Sequence, residues 1–304
     1  MTVWRESRRQ RHVTPLICLL ILVCSYLTVI LPFAEYMQRK PVVEKLGTLP
    51  RVEVLQFVAA DQRQLFAASL VMKVMMYFGG LMDNEPARYR IPPDYQTMSR
   101  MLHAAVKLDP YNMDAYYFAQ ALLVWDVGAY KVANDLLEYG MKYRSWDWYL
   151  PFFAGFNSAY FLKDYPSAAK HYQRAAELSG ESMFTTLAGR YLHKSGQTEL
   201  AIAYLATMAK GARNEAIKKT YLIRLKALQA VRVIEVARDA CLQNTGRLPA
   251  NVAELAERGY LKNIPVDPYG GVFYMEADGK VTSTSEFTFG KLERQKMEKS
   301  GVQQ

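Results

Sequence analysis

The sequence predicts a mainly α protein with three parts: an N-terminal transmembrane helix, a solenoid of stacked helical hairpins, and a small C-terminal α+β hairpin module. Three observations predict it. Small residues recur as Ala133, Ala168 and Ala201, each followed four residues later by a bulky partner, Leu137, Tyr172 and Leu205. An uncharged apolar run covers Leu16 to Phe33. Near the C-terminus, Val272-Phe273-Tyr274-Met275 and Val281-Thr282-Ser283-Thr284 flank Ala277-Asp278-Gly279-Lys280, two short strands joined by an Asp-Gly turn.

The apolar run comes first in the chain. About 18 residues at the helical rise are just long enough to cross a hydrocarbon core of roughly 30 Å. Arg5, Arg8, Arg9 and Arg11 precede it, so the basic head stays in the cytoplasm and residues from about 38 onward lie on the far side. A cleaved signal peptide shares the basic head. The run is longer than the usual signal core, however, and ends in Pro32-Phe33-Ala34-Glu35-Tyr36 without small residues framing a cut. Val23 before Cys24 is a poor match to a lipoprotein box. A retained anchor is therefore expected.

After the span, Arg39-Lys40-Pro41 and the stretch from Gly47 to Pro50 read as a stalk. Residues 52 to 81 then carry Leu55, Phe57, Val58, Leu65, Leu70, Val71, Val74 and Met75 at mixed helical spacings, ended by Gly79-Gly80. This predicts one or two apolar helices packed beneath the first repeat, with a dip into the bilayer surface as the alternative. Asp61, Arg63 and Lys73 argue against a full second crossing. A loop rich in charge and proline, Met82 to Pro93, leads into the repeats.

Each repeat reads as an aromatic and apolar helix, a short turn and a second helix with apolar residues three and four apart. The turns are Gly128-Ala129-Tyr130, Lys163-Asp164-Tyr165 and Ser195-Gly196-Gln197. Close approach of two helix backbones demands a small side chain, which explains the recurring alanines. Their spacing is 35 and then 33 residues, a difference that loops absorb. Met98, Leu102 and Ala105 stand 35 residues before Ala133, Leu137 and Gly140 and mark a weaker preceding unit.

These residues resemble the tetratricopeptide repeat: Leu108-Asp109-Pro110-Tyr111-Asn112 closing one unit, Asp114-Ala115-Tyr116-Tyr117 opening the next, and Lys163-Asp164-Tyr165 with Ala168, Tyr172 and Ala175 in the second. The resemblance implies a superhelix with a long groove suited to holding another protein. The first-helix position that usually carries glycine is Ala121 in the first unit and Phe156 in the second, while Gly189 keeps it in the third. A wider joint is expected at Phe156. If the groove binds a peptide, its register assigns the contacts to Phe118 and Trp125, then Phe153, Asn157 and Tyr160, then Thr186, Arg190 and His193 with Lys194 beside them. Asn157 would bond a peptide backbone, and Arg190 and Lys194 would pair with a carboxylate. Helix solvation alone also accounts for the two cations.

Tyr143 to Phe161 is unusually aromatic, with Trp146, Trp148, Tyr149, Phe152, Phe153, Phe156 and Tyr160. Core packing at helix joints is the first expectation and a binding hot spot the second. From Asn214 to Gln243 a long helix is predicted, with Tyr221, Leu225, Leu228, Val231, Ile234 and Val236 on or near one side. It caps the array. Asn244 to Pro249 breaks it, a short helix covers about Asn251 to Arg258, and Gly259 stops that helix.

The order Thr245-Gly246-Arg247-Leu248-Pro249, Leu255, Gly259-Tyr260-Leu261, Ile264-Pro265-Val266-Asp267-Pro268-Tyr269-Gly270-Gly271 and Asp278-Gly279-Lys280-Val281 resembles the globular end of type II secretion pseudopilins. The family's N-terminal methylated helix and processing site are missing, so the resemblance implies a borrowed small fold and no polymerisation. Members of that family can hold calcium in the loop after this hairpin, and Asp267, Glu276 and Asp278 have the oxygen chemistry for it. A turn and a solvated hairpin explain them without metal, which is the reading taken.

Composition narrows the function. The formal charge of +9 comes partly from the N-terminal arginines and from Lys291, Arg294, Lys296 and Lys299, and no basic stripe interleaved with aromatics argues for nucleic acid. Cys18, Cys24 and Cys241 make neither a disulfide framework nor a metal site. His103, His171 and His193 have no ligand partners at metal spacing. No nucleophile elbow, phosphate-binding loop or zinc-protease helix is present, so no catalytic residue and no cofactor is assigned.

The resulting organisation is a basic cytoplasmic tip (1–12), transmembrane helix (13–37), stalk and apolar helices (38–93), tetratricopeptide-like repeats (94–212), capping helix (213–245), pseudopilin-like module (246–289) and charged tail (290–304). The expected role is a non-catalytic, single-pass scaffold of the bacterial inner membrane, its bulk periplasmic. It would bind protein partners in the cell envelope and help assemble a secretion, pilus or other envelope complex. An obligate structural subunit of a larger membrane complex is the alternative, and an envelope enzyme or ligand receptor comes third, with no small-molecule ligand expected.

Overall fold

In this computed structural model the described backbone comprises residues 3–39, 46–81 and 92–288, with side chains described for 16–37, 46–81 and 92–288. The side chains of the basic tip, the loop from Met82 to Ile91 and the charged tail lie outside the described residues. The chain divides into two compact units, Met1–Asp109 and Pro110–Gln304.

The first unit begins with α1 (Val3–Arg39), whose stretch Leu16–Met37 is long and apolar enough to cross a membrane, a description that a signal sequence also meets. Helix α2 (Val52–Ala59) and helix α3 (Arg63–Leu81) follow, joined by a 3-10 turn at Ala60–Gln62 with Ala60 at a φ of 42°. Helix α3 runs through Gly79 and Gly80 to a buried Leu81, so the glycine pair does not end it as expected. Its Ala67, Val71, Val74 and Tyr77 recur every three or four residues and are buried, and α3 packs against α4 (Tyr95–Leu108). The Asp94 backbone N–H donates to the Tyr77 hydroxyl (3.0 Å), while its carboxylate accepts from Thr97 N–H and caps α4. Met98, Leu102 and Ala105, read as a preceding unit, are all fully buried.

The second unit is a solenoid of helical hairpins with an α+β end. Three helical hairpins stack in chain order. They are α5 (Met113–Ala121), continued by a π turn at Leu122–Asp126, with α6 (Tyr130–Tyr143); α7 (Tyr149–Tyr160) with α8 (Tyr165–Ser179); and α9 (Ser182–Lys194) with α10 (Thr198–Gly211). Ala133, Ala168 and Ala201 have no accessible surface, and Leu137, Tyr172 and Leu205 lie beside them in the core. At those alanines any larger side chain would overlap the neighbouring helix.

The second hairpin corrects one expectation. Gly189 of α9 faces Leu205, where an added Cβ would lie 3.1 Å from that side chain. In α7 the equivalent close approach, to Tyr172 and His171 at 3.3 Å, is made by Gly155 and not at Phe156. The α7–α8 turn holds one more residue, with Lys163 in the left-handed region at a φ of 55°, and this moves the contact back by one position. Phe156 is thereby turned half out of the core, and the joint stays closed.

Helix α11 (Glu215–Thr245) packs on α10, capped by Asn214 at its start and by Gly246 at its end with a φ of 71°. Its far half, Ala227, Val231, Ile234, Ala237 and Cys241, forms one core with Leu255 of α12 (Val252–Glu257), Leu261, Tyr269, Phe273, Val281 and Phe287. Strands β1 (Phe273–Met275) and β2 (Val281–Ser283) pair antiparallel in the register Phe273 with Ser283, Tyr274 with Thr282 and Met275 with Val281. The Asp-Gly turn closes through Gly279 N–H to Glu276 C=O (2.9 Å) and Lys280 N–H to Asp278 Oδ1 (2.9 Å).

Candidate functional site

On α7 the small residues and the aromatics occupy opposite faces. Ala154, Gly155, Asn157 and Ser158 are buried, whereas Tyr149, Phe153, Phe156 and Tyr160, spaced four, three and four apart, form a stripe that stays wholly or partly exposed. Helix α5 supplies the adjoining rings. Tyr117 meets Phe153 edge to face at 5.8 Å, and Trp125 meets Phe156 at 6.4 Å and Phe161 at 5.5 Å. Phe156 stacks on Tyr160 at 5.5 Å, and Phe161 stacks on Tyr130 at 4.2 Å. Trp125 is 64% exposed and Tyr160 60%. Exposed rings of this kind offer large contact area at small entropic cost to anything that desolvates them.

The π turn places Trp125. Val127 N–H bonds to Leu122 C=O (3.1 Å), and this wider turn adds a residue beyond the α spacing and swings the indole outward. The aromatic block thus splits in two. Trp148 and Phe152 pack on buried Phe184, at 5.4 Å each, as part of the α7–α9 core, and Trp146 stacks on exposed Tyr111 at 6.2 Å under the Arg144 guanidinium.

One repeat later the same helical face changes chemistry. The positions of Tyr149, Phe153, Phe156 and Tyr160 become Met183, Leu187, Arg190 and Lys194 on α9. Arg190 reaches Glu286 at 3.6 Å. Lys194 and Lys280 both sit over the Tyr165 ring, at 5.4 and 5.6 Å, and Lys280 Nζ donates to the Lys194 carbonyl (2.8 Å). These side chains line a cavity of about 190 Å³ with His193, Tyr274, Glu276, Thr282 and Phe287. Partial burial, together with the charges of Arg190 and Lys280, lowers the Lys194 pKa, the signature of crowded cations. Lys163 on the intervening turn lies over Tyr160 at 5.2 Å, and the cavity lining sets the cations Arg190, Lys194 and Lys280 beside the carboxylates Glu276 and Glu286.

Of the residues assigned to a groove, Trp125, Phe153 and Tyr160 come together on the aromatic surface, and Arg190 and Lys194 in the cavity. Phe118 is half-buried beside Tyr117, and Thr186 turns its hydroxyl back to Ser182 C=O (3.0 Å). Asn157 is a correction. It has no accessible surface, and its Nδ2 donates to Asn134 Oδ1 (3.0 Å) while Asn134 Nδ2 donates to Ser158 Oγ (2.9 Å) and Ala154 C=O (3.2 Å). It joins α7 to α6 and cannot reach a ligand.

His193 lines the cavity wall but exposes almost none of its surface. It is buried, bonded through Nδ1 to Thr198 Oγ1 (3.1 Å), which donates on to Glu235 Oε1 (2.9 Å), with Phe287 edge-on at 5.7 Å. Burial, followed by the charges of Lys280, Arg224 and Lys194, holds its pKa down to about 4, so it is neutral at pH 7. Tyr117 and Lys280 are not assigned to a site from the sequence, and Phe156 enters as a candidate there only as a member of the aromatic block. The spacing of Tyr149, Phe153, Phe156 and Tyr160 was the available signal for Phe156, whereas nothing local connects Lys280 to Lys194.

The calcium alternative is not assembled. Asp267 is buried, with Oδ1 accepting from Tyr269 N–H (2.9 Å) and Oδ2 from the hydroxyls of Ser283 and Ser285 (2.5 Å each). Its acceptor capacity serves the fold, tying the loop after α12 to the far end of β2. Asp278 caps its own turn and Glu276 lines the cationic cavity. Among the described residues, no three His, Cys, Asp or Glu side chains are grouped to hold a metal ion.

No protein-family model and no curated protein matches the chain. A solved structure described as MamA AMB-1 is similar at 16% identity and a TM-score of 0.32, over 54% of this chain and 97% of that one.

Proposed function

We propose that this protein is a non-catalytic scaffold, anchored in a bacterial inner membrane through residues 13–37, whose periplasmic repeats dock a protein partner of the cell envelope. The observation that carries this reading is the exposed aromatic surface of α5 and α7, followed at the equivalent positions one repeat later by Arg190 and Lys194 on α9. A partner segment with apolar side chains followed by an acidic group matches that order: the rings take the apolar part, and Arg190, Lys194 and Lys280 take the carboxylate. The C-terminal module supplies Lys280 and Glu286 to the cavity, and its resemblance to pseudopilins is what motivates a role in assembly of a secretion, pilus or other envelope complex.

The test is photo-crosslinking of the full-length, membrane-embedded protein carrying a benzophenone amino acid at position 160 or 117. The expected result is one envelope protein recovered from both positions, and recovery of it lost in a Trp125→Ala, Lys194→Gln variant that keeps its helicity. Crosslinks to no protein would overturn the reading. Unchanged recovery in the variant would do the same.

A further inference from the structure

Helix α3 carries a second apolar face, opposite the one that packs on α4. Leu65, Met72 and Met76, seven and four residues apart, line one stripe and are exposed, Leu65 by 64% and Met76 by 70%, with Ser69 between them turning its hydroxyl back to Phe66 C=O (2.8 Å). Helix α2 adds Val54, Val58 and Phe57, the last 86% exposed. A helix that is apolar on both faces and covered on one asks for a second apolar surrounding. The stretch Val52–Leu81 is long and apolar enough to cross a membrane, yet buried Val71, Val74 and Tyr77 already pack against α4, so it cannot cross as a lipid-wrapped span.

Two further observations name the surrounding. Residues 40–51, twelve in all, separate the end of α1 from the start of α2, and even fully extended they reach only about 40 Å. Helix α2 is therefore tethered near the bilayer face from which α1 emerges. Beside the first turn of α2 is a cavity of about 360 Å³ lined by Arg51, Arg100, His103 and Lys107 with no acidic residue, the charge that lipid phosphates attract.

We infer that α2 and α3 seat their outward apolar face in the acyl boundary of the bilayer, as an in-plane membrane contact additional to α1. This rests on the reading of α1 as a retained anchor. The seat holds the unit flat on the membrane, so that α1 is not its sole attachment.

The test uses the full-length protein in liposomes of phosphatidylethanolamine and phosphatidylglycerol with a trace of phosphatidylcholine bearing an acyl-chain diazirine. After irradiation, lipid adducts are mapped by mass spectrometry. Adducts are expected within residues 16–37 and at Phe57, Leu65, Met72 and Met76, but not at Val71, Val74 or Tyr77. A Leu65→Gln, Met72→Gln, Met76→Gln variant should lose the α3 adducts by about tenfold or more and keep those in 16–37, because only exposed apolar area has been removed. Adducts confined to 16–37 would overturn the seat and leave the anchor standing. Adducts around the whole circumference of α3 would also overturn it, in favour of a second crossing. A protein free of adducts throughout would remove the anchor and the seat together.

Discussion

Helices α7 and α9 occupy equivalent places in consecutive repeats, yet one turns its stripe of rings to solvent and the other turns its cations toward the C-terminal module. The buried half of each is alike: Ala154 and Gly155 in one, Ala188 and Gly189 in the other, the alanines without accessible surface and the glycines tight against the helix opposite. The outer half differs because α9 has a neighbour that α7 lacks. Glu286 and Phe287, both with positive φ (47° and 55°), bend the chain after β2 against Arg190 and His193. Two successive non-glycine residues in that region are strained and persist only where packing holds them. The repeat thus conserves its packing geometry and leaves its outward chemistry free to vary.

The hub that holds this bend is the first place to break the comparison. Asp267→Ala removes the acceptor for two buried hydroxyls and the Tyr269 N–H, and buried Phe287 depends on the Ser285 hydroxyl, which accepts from its N–H (3.1 Å). Leaving such donors unsatisfied should cost about 3 kcal/mol or more. Gly271→Ala should act alike, since its Cβ would lie 2.5 Å from Ser283 Oγ and 2.7 Å from Asp267 Oδ2. Urea unfolding of the detergent-solubilised full chain measures both. A loss below about 1 kcal/mol in both variants would mean that the module does not depend on this hub.

Next in size is the pH dependence of α9. His193 ionises near 4 in the folded chain against 6.5 for the free side chain, so the unfolded state binds the extra proton. Stability from this group is fully present above pH 6.5 and is lost as the pH falls toward 4, by about 3 kcal/mol in total. Buried His171, whose pKa is also lowered by burial, adds in the same direction. His193→Gln should therefore flatten part of the stability loss between pH 6.5 and 4 and leave the His171 part in place. Identical slopes for the two proteins, read from thermal melts at several pH values, would contradict a neutral buried His193.

How much of this was legible depended on whether the cause was local. The alanine and leucine rhythm was visible because close helix approach admits few residue types, and the Asp-Gly turn because its backbone conformation is equally selective. The π turn that exposes Trp125 has no such marker. Neither did the extra residue at Lys163, which moves the close approach to Gly155. Asn157 and His193 were placed outward by register alone, but the buried partners that accept them, Asn134 and Thr198 with Glu235, are fixed only by the packing of separate helices. Lys280 joins Lys194 across 86 residues, and no periodicity reports that contact.

The aromatic side of the comparison is broken by Trp125→Ala with Tyr160→Ala. Both side chains are mostly exposed, so the pair should change unfolding stability by less than about 1 kcal/mol. Partner affinity should fall far more, by about 2 kcal/mol or roughly 30-fold, if these rings are the central contacts. An equal loss in both measurements would make the surface a part of the fold and not a docking site.

The smallest effect sharpens the contrast most, because it asks whether the cations of α9 and the rings of α7 serve one partner. Lys194 has crowded positive neighbours, and its ammonium lies over the Tyr165 ring. Lys194→Gln removes a charge that the fold itself disfavours, so stability should hold or rise slightly. Affinity for an acidic partner segment should drop by about 1 kcal/mol in dilute buffer, and the difference from the parent protein should fade as salt approaches about 1 M, where screening reaches about 3 Å. The aromatic variant should show no such salt dependence, since ring burial is not screened. A partner whose affinity ignores Lys194 at every salt concentration would confine docking to α5 and α7 and leave the cavity of α9 to the C-terminal module alone.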